Sequence, residues 1–159
     1  MSAGSVRVAR VTAASLEAFI ALMGAIESER LPAVPDASSQ AAAEVRLSLA
    51  HYDFTQSAAC RMLMALSGSA GAGYALVIRI PKPDARLGFL FVEELYVLGA
   101  YRRAGVASSL LRECENVARE WGLHGIRLLV RPENDAARQL YHTAGFAESQ
   151  TNFCEKLLA

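Results

Sequence analysis

Between residues 87 and 130 the chain reads "LGFLFVEELYVL", then "GAYRRAGVASSLLRECENVAREWGLHG", then "IRLLV". The first and last pieces are apolar runs of strand character, and the middle piece is a helix of about 105–121. Val106, Leu110, Leu111, Cys114, Val117, Ala118 and Trp121 share one face of that helix. Arg112, Glu113, Glu115, Arg119 and Glu120 share the other, and Gly122 is a natural stop. A strand, a crossover helix and a second strand at this length place the two strands parallel, with the helix on one face of the sheet. Whatever else the chain does, it must build an α/β structure around this unit.

The flanking segments add strands of the other sense. "VRVARV" alternates apolar and basic residues, and Thr12 or Ser15 then caps a helix that turns Leu16, Phe19, Ile20, Met23 and Ile26 inward. "RLPAVPDASSQ" reads as a loop, 41–49 as a second helix, and "HYDFTQS" is undecided. "CRMLMAL" and "YALVIRI" around "SGSAGAG" predict an antiparallel hairpin. Its glycines do not form a phosphate loop, because a strand follows them where such a loop needs a helix. Asn134 caps a helix over 135–144 that Gly145 closes, and "FAES" and "NFCEKLL" read as terminal strands. The expected order is β-α-α-β-β-β-α-β-α-β-β. At 159 residues this predicts one domain over 1–159, with a mixed, mostly antiparallel sheet flanked by helices.

Charge and cysteines narrow the function classes. Sixteen basic and sixteen acidic side chains cancel, so no global field favours nucleic acid or an anionic membrane. Cys60, Cys114 and Cys154 are far apart, with no paired spacing and no histidine at ligand distance. The expectation is buried thiols in a reducing cytoplasm, with no disulfide framework and no metal. No hydrophobic leader opens the chain and no uncharged apolar run reaches membrane-spanning length, so a cytoplasmic protein is expected.

The helix after "YRRAGVA" starts without a Ser, Thr, Asp or Asn cap. Its first N–H groups, the positive end of its dipole and Gly105, which lets a ligand approach the backbone, together make a site for a phosphate or pyrophosphate. Arg102 and Arg103 bring positive charge to its rim. By itself the spacing R-x-x-G-x-A is short and unspecific. About thirty residues on, "NDAARQLYHTAGF" supplies Asn134, Ala137, Leu140, Tyr141, Gly145 and Phe146.

Together these two segments resemble the GNAT superfamily of acetyl-CoA-dependent N-acetyltransferases. That family pairs an Arg/Gln-x-x-Gly-x-Gly/Ala turn with an Asn-x-x-Ala-x-x-Leu-Tyr-x-x-x-Gly-Phe helix. The resemblance implies a GNAT-like fold with a splayed central parallel strand pair, acceptor-side helices at about 13–56 and an acetyl-CoA core at about 87–146. It implies that the amides of Arg103, Ala104, Gly105, Val106, Ala107 and Ser108, with Arg102 before them, hold the pyrophosphate of CoA. Arg103 departs from the family, which often has glycine there. The pantetheine is expected along Leu95, Tyr96 and Val97, bordered by Asn134, with Tyr141 near the sulfur.

Acetyl transfer to an amine needs a neutral amine, a polarised carbonyl and a protonated leaving thiol. An N–H of the long strand near Tyr96 or Val97 can polarise the carbonyl, and Tyr141 can deliver the proton. Glu93 in "FVEELYV" is the favoured base, with Glu94 or a water relay as the competing choices. A strand bulge would exchange the faces of the two glutamates. Burial is expected to raise such an acid toward neutral pH. The reading is thus direct transfer from acetyl-CoA to a primary amine of a small molecule or peptide, in a ternary complex. Its competitor is a non-catalytic acyl-CoA-binding or sensing module. No nucleic acid or membrane partner is expected, the family's habit suggests a homodimer, and His51 is a candidate for the acceptor pocket.

Overall fold

The computed structural model describes residues 6–85 and 87–158. They divide into two compact units, one running to Leu129 and one beginning at Val130. The first holds a five-stranded sheet in the order β1-β2-β3-β4-β5. Its strands are β1 (Val6–Arg10), β2 (Cys60–Ser67), β3 (Ala70–Ile80), β4 (Phe89–Val97) and β5 (Gly125–Leu128). The first four pair antiparallel in sequence order, and β5 joins β4 parallel, as the crossover requires. The crossover helix is α3 (Val106–Glu120), and α1 (Leu16–Arg30) and α2 (Ala37–His51) stand between β1 and β2 in the chain.

Each face of the sheet has its own core. On one, α3 buries Val106, Leu110, Cys114, Val117 and Ala118 against Leu63, Ala65, Ala75, Val77, Leu90 and Val92. The side chains are those that the helical period selects. Burial pushes the Cys114 thiol up to about 12, so it acts as a small apolar side chain. On the opposite face Phe19, Ile20, Leu22 and Ile26 of α1 and Val45 of α2 cover Met62, Met64, Leu66 and Tyr74.

Close approach of β3 to β4 depends on Gly73: a Cβ there would stand 2.5 Å from the Tyr96 carbonyl oxygen. Opposite β3, β4 carries a bulge. Leu76 pairs with Glu94 and Val77 with Val92, so Glu93 is the extra residue.

Three expectations are corrected. α2 begins at Ala37, four residues before the predicted start, because Asp36 enters a left-handed conformation (φ 60°) and turns the chain directly out of the proline loop. "FAES" and "NFCEKLL" form no strand, since residues 147–158 have no ladder partner and strand character needs one. The parallel pair consequently closes one end of the sheet. Among the described residues of the second unit, α4 (Asp135–Thr143) is the one regular element. Among the described residues no helix is long and apolar enough to cross a membrane.

Candidate functional site

β5 stops at Leu128, opposite Val92, while β4 continues to Val97. Leu95, Tyr96 and Val97 therefore have β3 on one side and no β5 partner on the other. A backbone edge is left there for a ligand to follow. Leu98 leads into a short turn of 3-10 helix, Gly99–Tyr101, and the chain then enters α3 through two left-handed residues, Arg103 (φ 59°) and Gly105 (φ 78°). Left-handed backbone costs an ordinary residue roughly 1–2 kcal/mol, which is the physical reason that glycine suits position 103.

No side chain caps α3 at Gly105, and the first bond of this end runs from the Ser109 N–H to the Gly105 carbonyl at 3.0 Å. The N–H groups of Val106, Ala107 and Ser108 precede it and belong to the orphan set of a helix start. A Cβ built on Gly105 would meet nothing within 4 Å, so the space beside that residue is open. Ala104 and Ser108 are exposed beside it. The donor set suits an anion with several oxygens.

Arg102 departs from the expected rim position. Its Nε donates to the Val97 carbonyl at 3.0 Å, and its guanidinium also reaches Glu29 Oε1 at 3.0 Å and the Tyr96 hydroxyl at 3.3 Å. Glu29, near the end of α1, also accepts from the Gly99 N–H at 2.7 Å and from the Tyr96 hydroxyl at 3.0 Å. This carboxylate ties α1 to the turn that feeds α3. The Gly99 N–H and then the Tyr96 hydroxyl hold its pKa below the ordinary range. A lowered carboxylate stabilises the fold above its unfolded pKa and loses that contribution as pH falls through the folded value. Glu29→Gln should therefore be less stable than the unmodified protein at pH 7, with the gap closing as pH falls below the ordinary carboxylate range. Thermal melts of both across a series from pH 7 into the acid range check this, and a gap independent of pH would contradict it.

The two glutamates part company at the bulge. Glu93 is the extra residue and is not among the residues lining the cavity that Glu94 faces. Glu94 lines a cavity of about 580 Å³ beneath α1 and α2, and accepts the Tyr74 hydroxyl at 2.6 Å. Burial, then this bond, raises the tyrosine's pKa and keeps it a donor. The bulge shifts the alternation from Glu94 onward, so Glu94 and Tyr96 share the face of α1. The expected burial is absent, because both carboxylates are exposed. Exposed His51 is not among the cavity's lining residues, whereas its neighbour Tyr52 is. Cys60 lines the cavity as well, and neither it nor Tyr74 was singled out from sequence. The Tyr74–Glu94 pair spans 20 residues and follows only from strand register.

In the second unit Asn134 accepts the Ala137 N–H at 3.1 Å and so caps α4. Tyr141 is half-buried with its ring 5.7 Å from that of Phe146, and the Phe146 N–H returns to the Tyr141 carbonyl through Gly145 (φ 87°). The motif spacing thus encodes a capped and closed helix.

Comparison with known proteins fits this arrangement. The chain is 34% identical over 64 residues to GCN5-related N-acetyltransferase 10, chloroplastic, of Arabidopsis thaliana, covering 40% of this chain and 25% of that protein. It is 32% identical over 74 residues to an uncharacterized N-acetyltransferase of Mycobacterium tuberculosis (strain ATCC 25618 / H37Rv), covering 46% of this chain and 44% of the relative. The matched stretches thus span less than half of either relative.

Among solved structures, an aminoglycoside acetyltransferase from an uncultured soil metagenomic sample, in complex with sisomicin, superposes with TM-score 0.76 at 15% identity, covering 97% of each chain. A ribosomal-protein-alanine N-acetyltransferase from Brucella melitensis biovar Abortus 2308 gives 0.68 at 20% identity, over 96% of this chain and 100% of that one. AAC(6')-Iy in complex with a CoA-containing bisubstrate analog gives 0.70 at 17%, over 98% and 100%. At these identities the likeness shows the fold. The family model of the acetyltransferase (GNAT) family matches residues 25–146, more than half of the chain, and this protein belongs to that family.

Proposed function

We propose that the protein is an N-acetyltransferase that moves acetyl from acetyl-CoA to a primary amine in a ternary complex. The observation that carries this reading is the uncapped start of α3, with left-handed Gly105 and open space beside it, next to a β4 edge without a β5 partner. The N–H groups of 103–108 hold the pyrophosphate in this reading, and the backbone of Leu95, Tyr96 and Val97 holds the pantetheine. Arg102 serves by fixing Val97 and the turn before α3, its charge already balanced by Glu29. Acetyl-CoA supplies an activated acetyl group when bound. Glu94 takes the proton from the incoming ammonium, and the Tyr74 hydroxyl steadies that carboxylate. Tyr141 donates a proton to the departing sulfur, by resemblance to its place in the family motif, and Asn134 sets the start of the helix that carries it.

The test is saturable acetyl-CoA binding by calorimetry, followed by thiol release over a panel of amines. Tyr141→Phe should lower turnover about tenfold or more while leaving CoA affinity within about threefold. Unchanged turnover would remove its acid role. No CoA affinity in the unmodified protein would overturn the whole reading, and affinity without turnover on any amine would leave a binding module.

A further inference from the structure

We propose that the acceptor is an amphiphilic amine, a cationic head on an aryl or alkyl body, and that polyhydroxylated amines are poor substrates. This rests on the transferase reading and concerns the Glu94 cavity. Its floor is apolar and aromatic. Phe19 stands edge-on to Phe54 and to Tyr74, each at 5.9 Å, and Met62 and Leu76 continue the surface. At about 580 Å³ the space suits a small molecule.

Most of the cavity's hydrogen-bond donors are already engaged. The Tyr74 hydroxyl is given to Glu94, and the Tyr52 hydroxyl shares a hydrogen bond with Ser57. Arg30, the one cation on the lining among the described residues, is paired with Glu27 at 3.1 Å. Ser48 is the remaining hydroxyl. A sugar-like acceptor would surrender its water hydrogen bonds here and find few replacements, whereas an apolar body loses none.

Charge picks the head group. Glu27, Glu44 and Glu94 against Arg30 leave the lining two charges negative (three acids minus one base). Glu94 and Glu44 have no ion-pair partner among the described residues. Glu94 stands where the floor meets β4, so one ammonium there directs its apolar body across Leu76 and Met62. Glu44 is exposed on α2 and adds attraction at the rim.

The experiment compares butylamine, hexylamine, octylamine and 2-phenylethylamine with the polyhydroxylated aminoglycoside sisomicin, using acetyl-CoA and the full chain. The expected result is kcat/KM rising about fourfold per added methylene, with sisomicin about 100-fold or more below hexylamine. Glu44→Lys, an exposed change that leaves the core intact, should raise KM for hexylamine about tenfold with a much smaller change in kcat. Sisomicin matching hexylamine, no dependence on chain length, or an unmoved KM in Glu44→Lys would overturn the inference while leaving the transferase reading intact. If no amine turns over, calorimetric binding of the same alkylammonium series in the presence of CoA decides separately. Affinity growing with chain length supports the cavity assignment while the transferase reading falls, and flat or absent binding overturns both.

Discussion

Glu94→Gln should lower kcat/KM for amine acetylation about a thousandfold at pH 7, and Glu93→Gln should change it less than about threefold. An aliphatic amine with a pKa near 10 is neutral in only about one molecule per thousand at pH 7, so that factor bounds what a base can restore. The glutamine keeps a carbonyl oxygen for the Tyr74 hydroxyl that Glu94 now accepts at 2.6 Å. The cavity wall is therefore preserved while the proton acceptor is lost. CoA affinity and melting temperature should stay near those of the unmodified protein. Above about pH 9.5 the amine deprotonates unaided and the deficit should shrink below about tenfold. A deficit equally large at every pH would indicate lost positioning, and equal losses in the two variants would return the base to a water relay.

That contrast marks where sequence reasoning reached its limit. The helix around Leu110 and Cys114 was legible because its apolar period survives any register of the sheet. The missing cap before Val106 was equally plain, since a cap is a matter of adjacent residues. The facing of Glu93 and Glu94 was not, because it depends on the bulge opposite Leu76 and Val77, and bulges follow from pairing between strands. The same holds for Glu29, whose contact with the Gly99 N–H spans 70 residues. Nothing in "IESER" distinguishes that glutamate from its neighbour Glu27, which pairs locally with Arg30. The terminal segments erred in the other direction. "NFCEKLL" has strand composition, but composition does not supply the partner that makes a strand.

Gly105→Asp should weaken CoA binding about 100-fold or more without unfolding the protein. The position has φ 78° and open space where a Cβ would stand, and Asp and Asn are the side chains that tolerate this backbone best. The new carboxylate would lie by the free N–H groups of α3, where a negative charge favours the helix. The melting temperature should hold or rise. That same charge occupies the place assigned to pyrophosphate. At about 5 Å and an effective dielectric of about 20, each phosphate charge is opposed by about 3 kcal/mol, more than a hundredfold in Kd. Gly105→Asn shares the shape without the charge and should stay within about fivefold of the unmodified protein. Raising ionic strength from about 0.05 M to 0.5 M should narrow the aspartate deficit, because screening shortens the reach of the repulsion. Calorimetry with CoA at the two ionic strengths measures all three proteins. Unaltered affinity in Gly105→Asp would remove the pyrophosphate from α3, while equal losses in Asp and Asn would mean that backbone freedom at 105, and not charge, governs the site.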